Sequence, residues 1–143
     1  MRGSLTRGLL GLALAAAVAS PVAVASPVAA QDMQGDMTVT MNESNNSGVS
    51  GQAVVHPMGD STTITITLQG LEPNSRHAAH IHNGSCAAGV LMPLEVVVAD
   101  ANGVGTSTST VAAAPDPAVW WIQVHRQESP PGPGISCGQV TAS

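Results

Sequence analysis

The chain has 143 residues, two cysteines, two tryptophans, no phenylalanine or tyrosine, and a formal charge of −5. Its four basic residues are all arginines, two of them in the first seven positions, so two arginines against nine acids leave residues 31–143 at −7. That balance argues against nucleic acid and anionic membrane surfaces as partners, and the core must be built from Val, Ile, Leu, Ala and Met around Trp120 and Trp121.

Residues 1–30 read as a secretory signal. Arg2 and Arg7 supply a positive start, and Leu9 to Ala19 is an apolar run too short to span a bilayer. Val28 and Ala30 offer a cleavage site before Gln31, with Ala23-Val24-Ala25 as a rival. The expected mature chain is one domain, 31–143, long enough to bury a working core. It is expected to be secreted, periplasmic or held at the cell surface. No cysteine lies near either cut, which argues against a lipid anchor, and no later stretch has the length and apolarity of a membrane span.

The mature chain reads as short strands. Met37 to Asn42 alternates, Asn42 to Ser50 is a loop rich in Asn, Ser and Gly, and Gly51 to Pro57 is a second strand. Met33, Met37 and Met41 recur every four residues. A lead running into a strand explains them more simply than a soft metal site does. Thr62 to Leu68 alternates cleanly, with Ile64, Ile66 and Leu68 on one face and Thr63, Thr65 and Thr67 on the other, as a half-buried antiparallel strand requires. A loop from Gly70 to Asn74 delivers the chain to a histidine-rich stretch, Arg76 to Cys86.

After Cys86 the reading is an Ala/Gly segment, then a strand from Leu94 to Ala99. Asp100-Ala101-Asn102-Gly103 carries the Asn-Gly pair favoured in tight hairpins, and Val104 to Ala112 returns. Further strands are expected at Val119–His125 and Ser136–Thr141, separated by a loop from Glu128 to Gly134 with three prolines and two glycines. About eight short strands, with no convincing helical period, predict an all-β Greek-key sandwich or flattened barrel.

Two cysteines in an exported chain most simply form one disulfide, with a pair of thiolate metal ligands as the other reading. A Cys86–Cys137 bond would close a loop of about fifty residues, worth roughly 4 kcal/mol in the chain-entropy treatment.

Parity on the histidine strand puts His80 and His82 on one face and Ile81 on the other. On Val119–His125 it puts Trp120, Ile122 and Val124 on the core side, and Trp121, Gln123 and His125 outside. Three imidazoles from two strands would meet if those strands are neighbours. Histidines on a solvated strand face are the plainer reading of either pair alone.

The order His77-Ala78-Ala79-His80-Ile81-His82, then Cys86, then Val124-His125, then Ser136-Cys137-Gly138-Gln139-Val140 resembles the Cu/Zn superoxide dismutase superfamily across roughly Val49–Thr141. By that resemblance His80, His82 and His125 take copper-ligand positions, His77 packs behind them, and Cys86 pairs with Cys137. The resemblance departs in two places. Cys86–Val124 contains no histidine, so no zinc site is expected and copper lacks a fourth imidazole. The family's anion-attracting arginine is replaced by Gly134, leaving Arg126 as the candidate anion guide. Ala79 to Gly84 and Ile122 to His125, followed by a Pro-Gly loop and Gly138-Gln139-Val140, are also similar to the chordin-type (CHRD) domain.

The expectation is therefore an exported copper-binding protein with superoxide as its candidate substrate and at most weak dismutase activity. The alternative is a non-catalytic CHRD-like module with vestigial histidines. A zinc hydrolase would need a general base, and Glu128 is the only acid close in sequence to a site histidine. His56 reads as a solvent-exposed strand-end residue, Met92 as a loop or core methionine with an axial copper ligand as its other reading, and Asn83-Gly84-Ser85 as a glycosylation pattern common by chance.

Overall fold

The computed structural model describes residues 16–23 and 35–142. The expected leader falls outside the described residues except for 16–23, an exposed stretch with no regular structure, and Met33 falls outside them too. Among the described residues no helix is long and apolar enough to cross a membrane.

Eight strands follow one another: β1 (Met37–Glu43), β2 (Ser50–Met58), β3 (Ser61–Gln69), β4 (Arg76–Asn83), β5 (Val90–Ala99), β6 (Gly105–Val111), β7 (Trp120–His125) and β8 (Gly134–Gln139). All pairings are antiparallel, and the order β1-β2-β3-β6-β5-β4-β7-β8 closes into a barrel. The β3–β4 and β6–β7 connections cross over, as a Greek key requires. The barrel is flattened. β1, β2, β3 and β6 pair along most of their length, as do β5, β4, β7 and β8, but the seams between these halves are short. β5 meets β6 only at Val98↔Thr106 and Ala99↔Gly105, and β1 meets β8 only at Asn42↔Cys137 and Glu43↔Ser136.

Alternation makes the core. Ile64, Ile66 and Leu68 are each 0% exposed while the threonines between them face outward, and Met37, Val39 and Met41 do the same from β1. Burying each such side chain contributes about 1.5–3 kcal/mol. Ala79 and Ile81 from β4, and Trp120, Ile122 and Val124 from β7, complete the opposite wall. Met37 and Met41 are thus core residues, and their four-residue spacing is two turns of a strand's alternation.

Three local expectations are corrected. β5 begins at Val90 rather than Leu94, because Val90 to Pro93 pair with β4 through a bulge at Ile81/His82. The last strand is Gly134–Gln139 rather than 136–141, extended backward by pairing with His125. The β5–β6 turn is not a two-residue Asn-Gly hairpin. Only Gly103 takes positive φ (74°), and the Asp100 carboxylate accepts the amides of Asn102 at 2.8 Å and Val104 at 3.0 Å, which winds the turn around Asp100.

Candidate metal centre

β4 and β7 are neighbours, and this adjacency assembles the site. His80 lies opposite Gln123 and His82 opposite Trp121, so His125, two residues beyond Gln123, is diagonal to His80. With Ile81 and Ile122 both fully buried in the core, the three imidazoles project from the other face. Their ring centroids are 5.0 Å apart for His80 and His125, 5.8 Å for His82 and His125, and 6.0 Å for His80 and His82. One ligand atom from each residue lies within 4.8 Å of the other two.

Two loops cover the cluster and fix the rings. His82 donates Nδ1–H to the Ala88 carbonyl at 2.8 Å, from the loop after β4. His125 donates Nδ1–H to the Gly132 carbonyl at 2.9 Å, from the proline-rich loop before β8. A carbonyl oxygen only accepts, so the proton of each neutral ring sits on Nδ1 and the lone pair on Nε2. Both Nε2 atoms, together with Nδ1 of His80, are buried and have no hydrogen-bond partner. Burial, and then the charges His125 and His82 would carry, hold the half-buried His80 imidazole below its ordinary 6.5, favouring the neutral ring that a metal needs.

His77 is buried beneath this layer. It donates Nδ1–H to the backbone carbonyl of His125 at 2.9 Å, and its Nε2 lies 2.7 Å from the Ser75 hydroxyl, so it touches the strand that carries the ligand ring. Cys86 and Cys137 are joined by a disulfide, with Cα atoms 6.3 Å apart, which excludes both from the metal as thiolates. Arg126, next to His125, is exposed and forms no ion pair among the described residues. Glu128 is bound to Arg76, at 2.6 and 3.3 Å. That hydrogen bond, with the arginine's charge, holds the carboxyl below its ordinary value, and Arg76 is raised in return.

The remaining candidates lie elsewhere. His56 is exposed on β2 and pairs with Asp36. Met92 lies in register with Ile81 and packs against the core, on the side of β4 away from the imidazoles. The sequence reading missed the two carbonyls, at Ala88 and Gly132. Any residue type can supply a carbonyl, so only the turn-forming Pro-Gly pattern near Gly132 hinted at a folded-back loop. It also missed how deeply Gln123 is buried: its side chain fills the space beside Gly134 that any larger residue there would need.

No curated protein matches the chain. The CHRD domain family model matches residues 15–133, most of the chain's length. A Greek-key β module bearing a histidine cluster and one disulfide, this chain belongs to the CHRD domain family.

Proposed function

We propose that this protein is an exported metal-binding β module that holds one copper ion through His80 Nδ1, His82 Nε2 and His125 Nε2. The observation that carries the reading is that all three nitrogens are buried and unpartnered within a single cluster. An unsatisfied buried acceptor costs about 1–3 kcal/mol, and a cation among the three would offset that cost for each. Two of the rings also show the arrangement typical of metal-bound imidazole, with the second nitrogen donating to a backbone carbonyl.

The donor set favours copper. It has three neutral imidazoles, no thiolate and no carboxylate, and divalent copper outranks zinc at nitrogen sites. Bound copper would supply one-electron exchange with a small oxidant such as superoxide. The surrounding residues offer little else to catalysis. Glu128 is tied to Arg76 rather than free as a base, and Gly134 presents no charge. We therefore assign metal holding as the main role, with superoxide dismutation slow at most. Export rests on the leader-like residues 1–30 and on the disulfide.

The test is copper titration of the full chain followed by electron paramagnetic resonance. One Cu(II) per chain with nitrogen hyperfine structure is expected, and it should be lost in His80→Ala and His125→Ala. Sub-stoichiometric binding, or a spectrum unchanged by both substitutions, overturns the reading. A superoxide decay assay on the loaded protein then separates slow dismutation from holding alone.

A further inference from the structure

We propose that the Cys86–Cys137 disulfide is a redox latch on the three-histidine site: while oxidised it holds the loop whose Ala88 carbonyl orients His82, and its reduction lowers metal affinity with the barrel still folded. This inference rests on the metal reading above and adds a control to it.

Residues 84–89 contribute no residue to the core; each is exposed or half-buried. Apart from the disulfide, few bonds hold the segment. Gly84 N–H donates to the Val119 carbonyl at 2.7 Å, Asn83 N–H to the Gly89 carbonyl at 3.2 Å, and Ala88 N–H to the Ser85 carbonyl at 3.1 Å. Only the last is internal to the segment, the first two tie its ends to Val119 and to Asn83 of β4, and backbone bonds at partly exposed positions open at little cost. The covalent anchor is Cys86, bonded to Cys137 on β8.

That anchor reaches both halves of the site. Cys137 pairs with Gln123, which in turn pairs with His80, so the bond ties the loop over His82 to the strands beneath His80 and His125. β8 begins at Gly134, two residues after Gly132, whose carbonyl orients His125. The bond thus joins the loop over His82 to the strand that the proline-rich loop runs into. The core below is independent of it, since the fully buried residues of β1, β2, β3, β4 and β7 pack without the loop.

The chemistry balances with an external dithiol or a phosphine as reductant. The S–S bond takes two electrons and two protons to become two thiols, while the dithiol gives up both and closes to its own disulfide, or the phosphine gives the electrons and becomes its oxide with the oxygen of a water that supplies the two protons. Both sulfur-bearing residues are half-buried, open enough for attack. The freed loop no longer holds Ala88 against His82, and losing such an outer hydrogen bond typically costs 10- to 100-fold in metal affinity.

The experiment measures Zn(II) affinity by competition with a chromophoric chelator. It uses oxidised protein, protein reduced with a phosphine, and Cys86→Ala/Cys137→Ala, which has no thiols to act as new ligands. Far-ultraviolet circular dichroism follows the barrel, and nitrogen-15 spectra follow the His82 ring tautomer. A 10- to 100-fold weakening in both reduced and double-variant proteins, with dichroism unchanged and the fixed Nδ1–H tautomer of His82 lost, is the result expected. Equal or tighter binding in the double variant overturns the latch, and so does weakening that accompanies global unfolding. If the oxidised protein binds neither Zn(II) nor Cu(II), the metal reading itself fails, and the latch fails with it.

Discussion

His77 and His125, 48 residues apart, are joined by a hydrogen bond from an imidazole to a backbone carbonyl. The donor is 5% exposed and the acceptor carries one of the three site rings, so the bond sets where that ring begins. His77→Ala leaves the His125 carbonyl without this partner and opens a void behind β7. Chemical denaturation should show a loss of about 1–3 kcal/mol, the usual cost of stranding a buried acceptor. Copper affinity should fall as well. His77→Gln, which can still donate to that carbonyl, should recover part of both losses. An Ala variant as stable and as tight-binding as the parent would show that the bond positions nothing.

How much of this could be read in the residues alone varies with what each feature depends on. Thr62 to Leu68 was plain because a half-buried strand must alternate, and Ile64, Ile66 and Leu68 are all on the buried side. The same parity placed His80, His82 and His125 on outer faces, and the disulfide was legible because a chain expected to be exported has few other uses for just two cysteines. What parity could not supply was that β4 and β7 are neighbours. That is a matter of non-local order, and only a Cys86–Cys137 bridge, tying the loop after His82 to the strand after His125, and the resemblance to known histidine strands point to it. Val90 to Pro93 was missed as strand because Pro93 lacks an amide and Gly89 precedes it. The bulge at Ile81/His82 takes up Leu91, so that Val90 pairs with His82 while Met92 and Pro93 pair with Ile81 and His80. The ring tautomers were invisible for a different reason, since they are set by main-chain oxygens that leave no trace in residue type.

The disulfide should matter to global stability as well as to the site. It closes a loop with a sequence separation of 51, and the chain-entropy treatment assigns such a loop roughly 4 kcal/mol. Domains of this size are stable by about 5–15 kcal/mol. The Cys86→Ala/Cys137→Ala protein should therefore remain folded at 25 °C, with its denaturant midpoint lowered and its m-value changed through the looser unfolded state. A midpoint unchanged from the oxidised parent would mean that the unfolded chain gains nothing when the bond is cut.

Stability should depend on pH through two groups, with the same sign. The lowered His80 value means that the folded apo-protein disfavours the charged ring. Its contribution is present in full above the ordinary value near 6.5 and is lost as pH falls through the lowered value. Glu128 behaves likewise in a more acidic window: its contribution is present above its ordinary value of 4.5 and is lost as pH falls through the value that Arg76 depresses. Nuclear magnetic resonance titration should place both midpoints below the unperturbed values. Arg76→Gln should return Glu128 toward 4.5 and leave His80 where it is. A His80 midpoint at or above 6.5 in the metal-free protein would contradict the burial argument.

Gly134 gives a test of whether one substitution can place a cationic side chain beside the three rings. It lies opposite His125 across the β7–β8 ladder, and a Cβ there would run into the Gln123 side chain, itself 8% exposed. Gly134→Arg therefore places a bulky residue where Gln123 already sits, and overpacking of this kind costs typically about 1–3 kcal/mol. The arginine alone should lower the denaturation midpoint without speeding superoxide decay, because Gln123 must be displaced before the guanidinium can settle near the rings. Combining it with Gln123→Ala vacates the space, so the double variant should be more stable than the two single losses added together, a coupling that a double-mutant cycle measures directly. Additive losses would mean that Gln123 and the new side chain do not compete, and that the glycine is required for the close approach of β7 and β8 rather than for the room Gln123 occupies.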